Sequence, residues 1–196
     1  MVETITPVVH GGRRKRYWSS VALHALGATL AAATFGLILG GAGALLRAPW
    51  GRLGAAIVAV VAIMYLVREA FGLQIPLPER HAQVPQWWRN FFSPPLASFL
   101  YGAGLGIGFF TFLQFGTYVA VAAAAFLSGD ALIGLLVCLP FGLTRGLSVV
   151  LTARATEPEH AREMVDVLDR WGSTRWPRLL NALALGCLAA GALLTL

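Results

Sequence analysis

The stretch Tyr101–Asp130, YGAGLGIGFFTFLQFGTYVAVAAAAFLSGD, decides how this chain folds. It holds no charge before Asp130 and is longer than the roughly 20 apolar residues that cross a bilayer as a helix. Yet Gly102, Gly104, Gly106 and Gly108 crowd its start, and Gln114 interrupts its middle between Thr111 and Thr117. Glycine weakens a helix, and a polar amide is costly in hydrocarbon. The full apolar run, Leu96 to Leu127, is too long for one straight span, so a tilt, kink or break is expected within it.

Outward from this stretch the chain keeps the same character. Hydrophobic residues make up 57% and charged residues only 12% of the 196 positions. Soluble domains carry about twice that charge. Four further runs satisfy the length for a span: Ser20 to Leu46, Leu53 to Leu73, Ala131 to Ala153 and Leu179 to Leu196. The expected fold is therefore all-α, a polytopic membrane protein with about five transmembrane helices. A basic tail over residues 1–19 precedes a single transmembrane domain over 20–196, with interfacial segments at 80–94 and 157–173. The basic start RRKR resembles the n-region of a signal peptide, but the apolar run behind it far exceeds the roughly 7 to 15 residues of an h-region. We read it as a retained anchor.

The net charge of +6 raises the question of nucleic acid, and its distribution answers it. Arg13, Arg14, Lys15 and Arg16 precede the first span. Arg80 and Arg89 lie between the second and third, and Arg154, Arg162, Arg170, Arg175 and Arg178 between the fourth and fifth. The first connection holds only Arg47 and Arg52, and the third only Asp130. These sets fall on alternate sides with the N-terminus in the cytoplasm, as the positive-inside rule requires. The excess is topological, no nucleic-acid partner is implied, and the expected location is the cytoplasmic membrane.

Two connections have their own chemistry. Trp87, Trp88, Phe91 and Phe92 alternate with Gln86, Arg89 and Asn90, a mixture suited to the headgroup layer. Further on, Thr156 and Glu159 form a capping-box pattern with Pro158 in the first turn. Met164, Val167, Leu168 and Trp171 then share a helical face, so a short amphipathic helix is expected, ending near Gly172. It is either a surface anchor or a docking site for a cytoplasmic partner.

Catalytic motifs are scarce. Cys138 and Cys187 are isolated within apolar spans, outside any CxxC pair. His10, His24, His81 and His160 are dispersed, so no metal site is expected, and no cofactor motif stands in a strand-to-helix setting. The lack of an acid–base cluster makes an enzyme the less favoured class. What remains are polar groups at membrane depth, which are functional candidates by default. Arg145 lies about 12 Å inside the cytoplasmic end of the fourth span at 1.5 Å per residue. Glu69 in the second span is the acid at similar depth, so the two form either a structural pair or part of a substrate site. Thr111, Gln114 and Thr117 are the other candidates.

From ALHALGATLAAATFGLILGGAGALL through GLGIGFFTFLQFGTYVAVAAAAFLSGDALIGLLVCLPFGL, the order of features resembles the cytochrome c biogenesis thiol-disulfide transporters, CcdA and the DsbD membrane domain. The resemblance implies inverted three-helix repeats, each opening with a broken helix that carries a proline-flanked cysteine. Here Gly108 to Gly116 occupy the comparable stretch. Thr111 and a glycine match, whereas the prolines and the cysteine are absent. The five spans correspond to helices two to six of that plan, without the first helix and its cysteine.

The resemblance thus implies a scaffold without thiol-disulfide chemistry, serving as a subunit or helper of a membrane complex or as a small-solute transporter. The alternative is a membrane oxidoreductase using Cys138 with a partner thiol. A redox Cys138 should reach a water-accessible cavity, whereas a packing Cys138 should be enclosed by helices. Besides the lipid bilayer, the expected partner is a second copy or another membrane subunit. It would meet the glycine face Gly102, Gly104, Gly106 and Gly108, together with Gly40, Gly41 and Gly43.

Overall fold

The computed structural model describes residues 14–48, 51–77, 87–108, 116–154 and 158–196. Every regular element among them is helical: α1 (Arg14–Leu45), α2 (Arg52–Phe71), α3 (Trp88–Phe91), α4 (Pro94–Gly106), α5 (Thr117–Leu127), α6 (Ala131–Leu147), α7 (Pro158–Gly172) and α8 (Trp176–Leu193). A 3-10 turn, Ser148–Arg154, extends α6. Continuous helical stretches at Arg14–Leu45, Arg52–Phe71, Ala131–Leu151 and Trp176–Leu193 are long and apolar enough to cross a membrane. The run expected as the third span, with a tilt, kink or break within it, contains two helices, α4 and α5.

α1 begins six residues before its expected start at Ser20. Arg14, Lys15 and Arg16 are exposed although the backbone there is already helical. Asp130 caps α6, its Oδ1 accepting from the backbone N–H groups of Leu132 at 2.7 Å and Ile133 at 3.0 Å. This satisfies two of the donors that a helix start leaves unpaired. Gly72 ends α2 in the left-handed region at φ 70°, with its N–H on the Arg68 carbonyl. α7 spans the expected amphipathic segment. Its Val167 and Trp171 are exposed and Leu168 is half-buried, while Thr156 of the expected cap lies outside the described residues.

The helices form two interleaved groups. α1 packs against α4 and α6, α2 packs against α8, and α5 touches α1, α2, α6 and α8. The interior is built from small residues: Ala28, Ala32, Ala62, Ala120 and Ala125 are buried, whereas Leu30, Ile38, Val60, Leu136 and Leu183 face outward. Lipid supplies no hydrophobic drive between helices, so close backbone approach and van der Waals contact must do so. A methyl group on Gly36 or Gly134 would overlap the other's carbonyl, one on Gly40 would overlap Asp130, and one on Gly43 would overlap Phe126.

The same contacts give the helix directions. Gly102 lies on the His24 carbonyl and Gly106 on that of Ala28, so α4 runs parallel to α1. Gly142 lies against Ala28 and Ala32, and Gly146 against Ala25, so α6 runs antiparallel to α1. α5 resumes the direction of α4 further along α1, with Tyr118 beside Phe35 and Phe126 beside Gly43. α4 and α5 are therefore two halves of one interrupted span.

The close helix packing expected of the glycines is made, where it is described, within the chain. Gly102 and Gly106 meet α1 of the same chain, Gly104 is buried in the same helix, and Gly108 lies under the Tyr118 ring. Gly40 and Gly43 are likewise engaged within the chain, whereas Gly41 has no neighbour within 4 Å. Within this set, Gly102, Gly106, Gly40 and Gly43 thus meet helices of their own chain, and Gly41 is open.

Trp88 and Phe92 pack on Ala97 and Tyr101, while Trp87 and Phe91 are exposed. The remainder of the first interfacial segment, up to residue 86, lies outside the described residues.

Candidate functional site

The interruption in the third span has two described ends, each held by groups from other helices. At the first, Gly108 adopts φ 73°, a left-handed value that few other residues tolerate. The Tyr118 ring covers it, leaving no room for a Cβ, and the Tyr118 hydroxyl donates to the Ile107 carbonyl at 3.0 Å. That carbonyl is one of those a helix end leaves without an internal partner. Tyr118 is in turn set between Phe35 of α1 and Phe141 of α6, with ring centroids 6.2 and 5.7 Å away. The Arg145 guanidinium lies 5.4 Å from the Phe141 centroid, within cation–π range.

At the second end, Gly116 sits against the Tyr65 ring and donates its N–H to Glu69 Oε1 at 3.5 Å. Glu69 is only 7% exposed. Its carboxylate is bound by Arg68 at 2.6 Å, and Arg68 also donates from Nε to the Ile75 carbonyl at 3.0 Å. The Tyr65 hydroxyl reaches the Pro76 carbonyl at 3.3 Å. One pair of adjacent residues thus pins the chain after α2 and places a negative charge at the N-terminus of α5, where the helix dipole favours it.

Of the two readings of Arg145 and Glu69, a direct ion pair is not formed: Glu69 takes Arg68, its sequence neighbour, and Arg145 stands over Phe141. Helical spacing places Glu69 at a suitable depth but does not identify the face opposite it. Thr117 ties α5 to α8 through a hydrogen bond to Asn181 Oδ1. Thr111 and Gln114 lie outside the described residues.

Two polar groups were missed by sequence reasoning. Asn181 interrupts the apolar run LLNALALG, a signal that hydropathy averaging hides, and its Nδ2 has no hydrogen-bond partner among the described residues. His24, 1% exposed, donates from Nδ1 to the Ser98 carbonyl at 3.1 Å, while its Nε2 meets no partner among the described residues. The histidine therefore joins α1 to α4 near the Gly102 contact.

The cysteines occupy different surroundings. Cys138 is 3% exposed and packs its Cβ toward Gly36 of α1, while Cys187 is exposed on α8 beside Leu66 and Gly186. The enclosure of Cys138 by helices is the geometry expected of a packing residue. No group of three or more His, Cys, Asp or Glu side chains that could hold a metal ion occurs among the described residues.

A bundle with four helices long and apolar enough to cross a membrane, and an interrupted span whose ends are held by buried polar and aromatic side chains, defines a polytopic membrane protein. The family described as the cytochrome C biogenesis protein transmembrane region matches residues 4–190. The chain belongs to this family. It is also similar to the methylamine utilization protein MauF of Paracoccus versutus, 31% identical over 76% of this chain and 56% of that protein. The MauF proteins of Methylophilus methylotrophus and Methylorubrum extorquens are 35% and 32% identical over 65% and 69% of this chain, and 45% and 48% of their own lengths. The chain thus spans about half the length of these curated relatives. No solved structure matches it.

Proposed function

We propose that the chain is a cytoplasmic-membrane helper or subunit of a methylamine-utilization-type system, working on the cytochrome c biogenesis scaffold without thiol chemistry. The observation that carries this reading is the combination of an enclosed Cys138 with a third-span interruption whose sequence, Gly108 to Gly116, contains no cysteine. A thiol relay needs a thiolate that can reach its partner. Cys138 sits instead between α6 and α1, where a small apolar side chain fits. The interruption is retained for its shape. Glu69, Tyr65 and Tyr118 set the positions of its two ends, and rearrangement there would be felt by α1, α2, α6 and α8 together through α5. The similarity to MauF supports the choice of system, and the arginine distribution supports an N-terminus in the cytoplasm.

The test is complementation of a chromosomal deletion during growth on methylamine, combined with affinity purification of the tagged chain in mild detergent. Wild type and a Cys138→Ala/Cys187→Ala variant should restore growth equally and retain the same stoichiometric membrane partner. A folded cysteine-free variant that fails to restore growth would return the chain to the oxidoreductase class. Normal growth of the deletion strain would remove the link to methylamine.

A further inference from the structure

Two depressions lie along the seam between α2 and α8, beside the core formed by Ala62, Ala120 and Leu185. One, of about 400 Å³, is polar and is walled by Arg68, Glu69, Gln74 and Arg178. The other, of about 390 Å³, is an apolar groove walled by Leu66, Leu179, Leu183, Gly186 and Ala190. They follow one another along the same helices. Arg178, Ala182, Gly186 and Ala190 recur every four residues and so form one stripe on α8. Leu66 lies three residues before Glu69 on α2.

The charges of the polar end do not cancel. Arg68 is bound to Glu69 at 2.6 Å, whereas Arg178 makes no ion pair among the described residues. One uncompensated guanidinium beside the Gln74 amide suits a single negative charge, that of a phosphodiester. Trp176, exposed two residues before Arg178, has the character that settles at headgroup level. The apolar end continues from Leu179 to Ala190, about 16 Å at 1.5 Å per residue, which accommodates most of an acyl chain.

We propose that this seam binds one anionic phospholipid, its phosphodiester against Arg178 and Gln74 and one acyl chain in the groove along α8. A free phosphate would use only the polar end, and a helix from another protein would use only the groove. The lipid alone uses both. The site is independent of the pathway proposed above.

The test uses the full chain, delipidated in detergent and reconstituted with phosphatidylglycerol or phosphatidylcholine, with binding followed by thermal unfolding and by mass spectrometry of retained lipid. A third arm supplies inorganic phosphate alone. Arg178→Gln removes the charge at an exposed position. Gly186→Leu adds bulk where even a Cβ would come 3.3 Å from Leu66 Cδ1, and so fills the groove. The wild type should retain and be stabilised by phosphatidylglycerol in preference to phosphatidylcholine. Arg178→Gln should weaken that preference about fivefold, the effect of one basic residue at an anionic surface. Gly186→Leu should abolish retention while unfolding at the wild-type temperature in phosphatidylcholine. If Gly186→Leu does not fold, retention by Arg178→Gln decides alone. Equal retention of both lipids, equal stabilisation by phosphate alone, or unchanged binding in Arg178→Gln would overturn the proposal. So would a lipid-free dimer that Gly186→Leu dissociates, since it would assign the groove to a second copy.

Discussion

Replacing Glu69 by glutamine removes one charge and leaves nearly every other atom in place. The wild-type carboxylate accepts from Arg68 at 2.6 Å and from the Gly116 N–H at 3.5 Å. A hydrogen bond to a charged group contributes about 1.5 to 3 kcal/mol. Breaking a fully buried ion pair costs about 3 to 5 kcal/mol, but the Arg68 side chain is 21% exposed and can recruit water, so the lower range applies. Glutamine can still accept from Gly116, which gives an expected loss of about 2 kcal/mol for Glu69→Gln. Glu69→Ala also orphans the Gly116 N–H and should lose about 3 kcal/mol. For a chain of this length each kcal/mol lowers Tm by about 2 to 4 °C, so the glutamine variant should melt about 4 to 8 °C below wild type. Thermal unfolding in nanodiscs, followed through the intrinsic fluorescence of the six tryptophans, provides the assay. The double variant Arg68→Gln/Glu69→Gln should recover part of the loss, since neither charge is then stranded. If both single variants melt within about 1 °C of wild type, Glu69 does not hold the start of α5, and the account of the second helix end is wrong.

Three further outcomes follow from the packing and the charges. Gly106→Leu places a side chain against the Ala28 carbonyl and should prevent folding, whereas Gly41→Leu, on the open side of α1, should leave the yield of monodisperse protein unchanged. Cys138 should resist maleimide until the bundle is unfolded, and Cys138→Ala should cost about 1 kcal/mol in an unfolding titration; rapid labelling of the folded chain would remove the packing role. Reporter fusions after Gly72 and after Leu196 should read as cytoplasmic and extracytoplasmic respectively, and the reverse pattern would refute the orientation taken from the arginines.

Much of the architecture was legible because bilayer length and charge alternation act on whole segments. The interruption was legible for a related reason: Gly102 to Gly108 and Gln114 oppose the helix that the surrounding residues favour, and α4 ends within that glycine run. The amphipathic α7 followed from its period and proline. The partners of the polar groups were not legible. Spacing along a helix says which residues share a face but not which helix stands opposite, so Glu69 could not be assigned to Arg68 and Gly116 rather than Arg145. The same limit hid the destination of the glycines, because Gly40, Gly41 and Gly43 look alike in sequence although only Gly41 is open. Asn181 was overlooked because one amide barely changes the hydropathy of an otherwise apolar helix.

The interleaving of the two helix groups has a consequence for biosynthesis. α2 finds its principal partner in α8, far along the chain, rather than in a sequence neighbour. About 105 residues separate Phe71 from Trp176, and at about 5 to 20 residues per second the ribosome needs roughly 5 to 20 s to supply them. During that interval α2 stands in the membrane with the side that will receive α8 against lipid or an insertion chaperone. Nascent chains arrested before α8 should therefore be the species on which quality-control proteases and membrane chaperones act, and release of α2 from them should coincide with the arrival of Leu185 beside Ala62.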